Sequence, residues 1–219
     1  MKSTSWATFL YQTMNKKSIL QKAIALLAWT AVILQFYLII VNRKMSIPWT
    51  ILQFFSFFTI LTNILTATCF TFLASKKNTR LKKLFSKPQT ITAITVYILI
   101  VGAVYNLILR ALWEPQGLQL IVDELLHSIV PVLAILYWFT FAPKKGLHWK
   151  DAFSWLLYPL IYIVFIFTRG AFMDVYPYPF IDVSTIGYPQ AFTNAGVLVI
   201  IFWILSLLFI ATAKALTKK

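Results

Sequence analysis

Cysteine is almost missing: Cys69 is the only one, and it lies inside an apolar run. A disulfide framework and a cysteine-built metal cluster are therefore excluded. Two histidines, His127 and His148, are too few for a multi-histidine metal cage. Six glycines leave little for phosphate-cradling loops, and none of G-x-x-x-x-G-K-S/T, G-x-G-x-x-G or G-x-S-x-G occurs. No metal and no cofactor is expected. Charge is scarce as well, at 12% of residues against 60% hydrophobic, with a mean hydropathy of +0.78. A soluble domain carries about 25% charged and about 45–50% apolar residues, and so few charges cannot cover so much apolar surface. A water-soluble enzyme, a disordered chain and a nucleic-acid-binding domain are excluded by this balance. An integral membrane protein remains.

What is present fits that class. A spanning helix needs about 20 mostly apolar residues, and six runs qualify: about 19–41, 48–74, 91–112, 119–142, 152–169 and 191–213. The expected fold is all-α, a bundle of six transmembrane helices in a single domain over 1–219. Pro48 suits the first turn of the second helix. Pro131, inside the fourth, is expected to kink it and to free a backbone carbonyl that another polar group must satisfy. The first run is too long for a signal-peptide core and lacks a small-residue cleavage pattern, so it reads as a retained helix.

The net charge of +14 then becomes a topology signal. Lys2, Lys16, Lys17, Lys22, the basic run from Lys76 to Lys87, Lys144, Lys145, Lys150, Lys214, Lys218 and Lys219 all fall on one side of a six-helix layout. They are 16 of the 20 basic residues. The positive-inside rule makes that side, and both termini, cytoplasmic, in a multi-pass protein of the cell membrane. The run at 76–87 reads first as this determinant and second as a place for anionic lipid heads. Trp49, Trp113 and Tyr176 read as interfacial anchors.

Polar side chains inside apolar runs are costly, so their positions carry information. Five of the six acids, all but Asp151, fall on the other, outer side or just inside it. His127, Asn106, Arg110 and Arg169 share that half. Ser56, Thr59, Asn63 and Thr66 recur at helical spacing, with Thr62 beside them, and are expected on one inward face. Asn106 and Arg110 are four apart, as are Asp123 and His127; a carboxylate one turn from an imidazole suits an orienting role. Tyr158, Tyr162 and Arg169 are spaced to line one face. The outer loop 170–190, with Tyr176-Pro177-Tyr178-Pro179-Phe180, is read either as a lid or as an interfacial anchor.

Plainer roles stand beside these. A membrane threonine usually bonds its own i−4 carbonyl or glues helices together. A lone histidine is more often a structural partner than a catalyst, and terminal arginines snorkel. A small proton-coupled transporter using His127, Asp123, Glu124, Arg110 and Arg169 is one alternative, and a non-catalytic scaffold or lipid-binding protein is another. A metal-dependent hydrolase with Asp123 and His127 as ligands is a weaker one.

Three stretches resemble one family. Phe57-Phe58-Thr59-Ile60-Leu61, Leu126-His127-Ser128-Ile129-Val130-Pro131 and Tyr178-Pro179-Phe180 are similar to segments of the androgen-induced, ADTRP-type integral-membrane threonine hydrolases and their bacterial six-helix relatives. The resemblance implies an intramembrane hydrolase of fatty-acid esters, with Thr59 as nucleophile and His127 as general base; Thr62 is the rival to Thr59. Beside that match, position alone makes Asp123 the expected orienter of His127. It makes Asn63 or Asn106 the oxyanion donor, and places Arg110, Arg169, Tyr162 and Tyr178 where a substrate would lie. The expected partners are membrane lipids and a hydrophobic small-molecule substrate, with no nucleic acid.

Overall fold

The structure, a computed structural model, describes residues 3–112 and 114–218, with side chains from residue 12 onward. Lys2, Trp113 and Lys219 lie outside the described residues. Every regular element among the described residues is a helix. Five are long and apolar enough to cross a membrane: Gln12–Val41, Pro88–Leu112, Leu118–Phe141, Asp151–Met173 and Val183–Thr217. Apolar side chains also make up much of the outside, Ile33, Leu107, Val164, Phe172 and Ile200 among them. In water such a surface would aggregate; in hydrocarbon it is the solvated face. The chain has the helices of a multi-pass membrane protein.

The run expected as one helix over 48–74 is instead two, α2 (Ile47–Phe54) and α3 (Phe58–Ala74), bent by 68°. No proline or glycine lies between Trp49 and Ala74 to signal this. The cause is local competition plus ring packing. Ser56 Oγ donates to Leu52 O at 2.6 Å, a back-bond that bends helices. The Phe58 ring sits 5.0–5.7 Å from the rings of Tyr158, Tyr162 and Phe202. Ser56, expected on a helical face with Thr59, lies in the break.

The helices form two compact units, residues 1–38 with 62–143 and residues 39–61 with 144–219. In the first, α1 (Ser3–Val41) contributes residues up to 38 and α3 contributes from Thr62 on; Thr79 Oγ1 caps the short α4 (Arg80–Phe85) by accepting from Lys82 N at 3.1 Å. Helix α5 (Pro88–Val104) continues through a π-helical turn, Tyr105–Leu109, into a 3₁₀ turn, Arg110–Leu112. Helix α6 (Leu118–Glu124) passes through a second π-helical turn, Leu125–Ile129, into α7 (Val130–Phe141). Helices α5 and α7 pack together around buried Ile98, Val130 and Trp138, and Trp138 Nε1 donates to Thr92 Oγ1 at 2.9 Å. Gly102 makes this approach possible. A Cβ there would lie 2.9 Å from the His127 carbonyl oxygen and 3.1 Å from Pro131 Cβ.

The second unit holds α2, the first residues of α3, α8 (Asp151–Trp155), α9 (Leu157–Met173), a 3₁₀ turn (Pro179–Ile181) and α10 (Val183–Thr217). Asp174 ends α9 in the left-handed region at φ 51°, and Gly187 at φ 73° kinks the start of α10. Asp182 caps α10, accepting from Ser184 N at 3.1 Å and from Ser184 Oγ at 2.5 Å. The Tyr176 ring lies against bare backbone at Gly170, where a Cβ would fall 2.1 Å from a ring carbon.

Candidate functional site

A broken helix exposes main-chain groups that must find partners, because an unpaired one in hydrocarbon costs several kcal/mol. At the α2–α3 break the partners are two tyrosines of the second unit. Tyr162 Oη donates to Ser56 O at 2.8 Å. Tyr178 Oη accepts from Thr59 N at 3.3 Å and lies 3.5 Å from Thr59 Oγ1. Thr59 thus occupies the first turn of a helix that begins inside the apolar run. Burial pushes the Tyr178 phenol up from its ordinary value, so its hydroxyl stays protonated. With its oxygen accepting from Thr59 N, the proton of that hydroxyl remains available for donation.

The 170–190 loop is built inward at this point. The Tyr178 and Phe180 rings stack at 5.2 Å, Phe57 meets Tyr178 edge-on at 6.0 Å, and Asn194 Nδ2 donates to Phe180 O at 2.8 Å. Two of the three stretches carrying the family resemblance, separated by 119 residues, therefore touch within one unit.

Arg169 is buried in the same unit. Its guanidinium donates to Val175 O at 3.0 Å and to Gln53 Oε1 at 3.2 Å, and its Nε has no hydrogen-bond partner among the described residues. It does not snorkel to the surface. Tyr158 and Tyr162, four apart on α9, both pack on Phe58.

His127 belongs to the first unit and sits in the π-helical turn before α7. Proline at 131 has no N–H to give to the turn before it. The proline and the π-helical turn together leave carbonyls open, and two amides fill them: Asn106 Nδ2 donates to His127 O at 3.0 Å, and Asn63 Nδ2 donates to Leu126 O at 3.3 Å. Asn106 Nδ2 also donates to Gly102 O at 2.9 Å. The open carbonyl expected near Pro131, and a polar partner for it, are met here. Asn106, a candidate oxyanion donor by position, gives Nδ2 to two main-chain carbonyls, and Asn63 gives Nδ2 to one.

The imidazole is held differently from the sequence expectation. His127 Nδ1 lies 2.9 Å from the main-chain carbonyl of Asp123, which can only accept, so Nδ1 carries the proton and Nε2 is the bare, basic nitrogen. The Asp123 carboxylate turns elsewhere, accepting from Tyr105 Oη at 3.4 Å and from Gln119 Nε2 at 3.0 Å. Gln119 Nε2 also reaches Gln35 Oε1 at 2.8 Å. The Tyr105 ring stacks on His127 at 3.9 Å between centroids and 11° between planes. Asp123 thus orients His127 through its backbone, and its carboxylate fixes Tyr105, the ring on which the imidazole lies.

Arg110 is exposed. It pairs with Glu124, donates to Ser128 Oγ at 3.3 Å and sits 5.5 Å over the Tyr105 ring. Its charge is spent on this cluster. Thr62, the rival hydroxyl, is fully buried in the first unit, and its carbonyl accepts from Thr66 Oγ1 at 2.8 Å. Among the described residues no group of three or more potential metal ligands gathers.

Tyr105, Gln119 and Gln53 were not singled out by sequence. Gln119 carried a usable signal, since it precedes Asp123 by four residues and His127 by eight. Tyr105 and Gln53 carried none, because each acts across elements remote in sequence. Compared with known proteins, the chain matches no family description, no curated protein and no solved structure.

Proposed function

We propose that this protein is an intramembrane hydrolase of lipid esters, with Thr59 as nucleophile and His127 as general base, as its resemblance to the ADTRP-type hydrolases implies. The observation that carries the reading is the contact of Thr59 with Tyr178 at the start of α3. It puts a hydroxyl, a helix-terminal amide and a protonated phenol at one point of an apolar run. Polarity of that kind is expensive there, and a purely structural break needs only the amide to be satisfied.

The chemistry follows from those atoms. Thr59 Oγ1 attacks the ester carbonyl carbon as His127 Nε2 takes its proton. The carbonyl oxygen becomes an oxyanion and receives the Tyr178 hydroxyl proton as a hydrogen bond. Collapse of the tetrahedral adduct breaks the bond to the alcohol oxygen, which takes the proton back from His127. Water, deprotonated by the same nitrogen, then attacks the acyl carbon, and the bond to Thr59 Oγ1 breaks as that oxygen takes the proton back from His127, releasing the acid. The reading requires His127 Nε2 to reach Thr59 Oγ1, and it leaves acyl chains among phenylalanine and leucine side chains, where membrane lipids supply the substrate. Arg169, buried without a carboxylate partner in its hydrogen bonds, is the candidate to meet a negatively charged substrate end.

The same reading takes α2 and α3 as one broken span, which makes six, and puts both termini on the basic, cytoplasmic side of the cell membrane.

The test is turnover of long-chain fatty-acid esters by purified protein. Thr59→Ala and His127→Ala are expected to lose at least about 10³-fold in kcat while still inserting, and Thr59→Ser to keep part of it. A fluorophosphonate is expected to label the wild type and to miss Thr59→Ala. Undiminished turnover in both alanine variants removes the assignment.

A further inference from the structure

At the opposite end of the first unit from Gln35 and Gln119, the sequence piles up positive charge, and the structure opens a cavity of about 350 Å³ there. Its polar lining is Lys17 and Gln21 of α1, Lys82 of α4, Ser86, and Tyr137 of α7. Its apolar lining comes from Leu73, Phe85, Ile91 and Phe141. None of the lining residues is acidic. Lys17 makes no hydrogen bond or ion pair among the described residues. Lys82 Nζ touches a single carbonyl, that of Ser75. Tyr137 Oη accepts from Gln21 Nε2 at 2.8 Å, which leaves its own proton to give. Two ammonium groups and two hydroxyls thus surround one small space that offers them no counter-charge.

We infer that this cavity binds a phosphate group, as carried by the head of an anionic phospholipid. Basic pockets between membrane helices take such heads, and the charge, donors and size here match one phosphate with its glycerol. The apolar wall suits the start of the acyl chains. Helix α4 marks the depth: Leu81 and Leu84 are 45% and 43% exposed beside Arg80 and Lys83, the amphipathic character of a segment lying at the headgroup level. The site stands apart from the proposed hydrolase chemistry, sharing no residue with it.

The test uses the full chain in a neutral maltoside detergent. Short-chain phosphatidylglycerol, short-chain phosphatidylcholine and inorganic phosphate are titrated at matched ionic strength, with binding read by thermal shift and native mass spectrometry. Phosphatidylglycerol is expected to bind and raise the melting temperature, well ahead of phosphatidylcholine. Each basic group near a lipid surface contributes roughly fivefold, so Lys17→Gln with Lys82→Gln is expected to weaken binding roughly thirtyfold. Lys16→Gln with Lys83→Gln removes the same charge from exposed positions and is expected to change it by less than about twofold. Lys82→Arg is expected to retain binding. If the double variant loses its fold, Lys17→Gln alone carries the test, at roughly fivefold. Equal weakening in both lysine pairs, or no preference for phosphatidylglycerol over phosphatidylcholine, overturns the site. Inorganic phosphate binding as tightly as the lipid supports the phosphate site and overturns the lipid as its occupant.

Discussion

At two places where the regular α-helical ladder is broken, the loose main-chain groups are taken up by different chemistry. Near Pro131 the loose carbonyls of Leu126 and His127 are taken by the amides of Asn63 and Asn106. At the α2–α3 break the loose groups of Ser56 and Thr59 are taken by the phenols of Tyr162 and Tyr178. Each asparagine gives an amide hydrogen to the main chain. A phenol oxygen that has accepted a bond keeps its own proton. The first repair holds an imidazole steady, and the second leaves a donor beside a hydroxyl.

Mutations can break this contrast at graded points, with stability followed by denaturant titration in mixed micelles. Gly102→Ala is expected to cost most, about 3 kcal/mol, since its methyl would press on a backbone carbonyl and on Pro131, neither of which can turn away. Asn63→Leu is expected to cost about 2 kcal/mol by stripping a buried carbonyl of its partner. Tyr162→Phe is expected to cost about 1 kcal/mol, for one good bond to Ser56 O. Tyr178→Phe is expected to cost no more than about 0.5 kcal/mol, because its bonds to Thr59 are long, yet to lower ester turnover about 10²-fold. A stability loss at Tyr178 as large as at Asn63 would make the phenol another structural prop and erase the distinction.

Much of the architecture was legible because lipid imposes it. The apolar runs expected at 91–112 and 119–142 are met by Pro88–Leu112 and Leu118–Phe141, since span length is set by membrane thickness. Pro131 announced an open carbonyl through its missing N–H. The 55–57 break was invisible because the Ser56 back-bond acts there together with rings on α9 and α10, and one-dimensional periodicity cannot register residues a hundred positions away. The orientation of Asp123 was misjudged for a related reason. Its spacing to His127 was read correctly, but Tyr105 and Gln119 claim the carboxylate, and that competition is decided in three dimensions. Thr59, His127 and Tyr178 were readable as residues of interest; the contact of Thr59 with Tyr178 was not.

The tight seat of Tyr176 on Gly170 gives the segment after α9 a built-in point of leverage. A single methyl group introduced at position 170 would act as a wedge, prising the tyrosine from its seat while every atom of Thr59, Tyr162 and Tyr178 kept its chemical identity. One carbon atom at position 170 thus tests how firmly the loop is seated while leaving every other side chain unchanged.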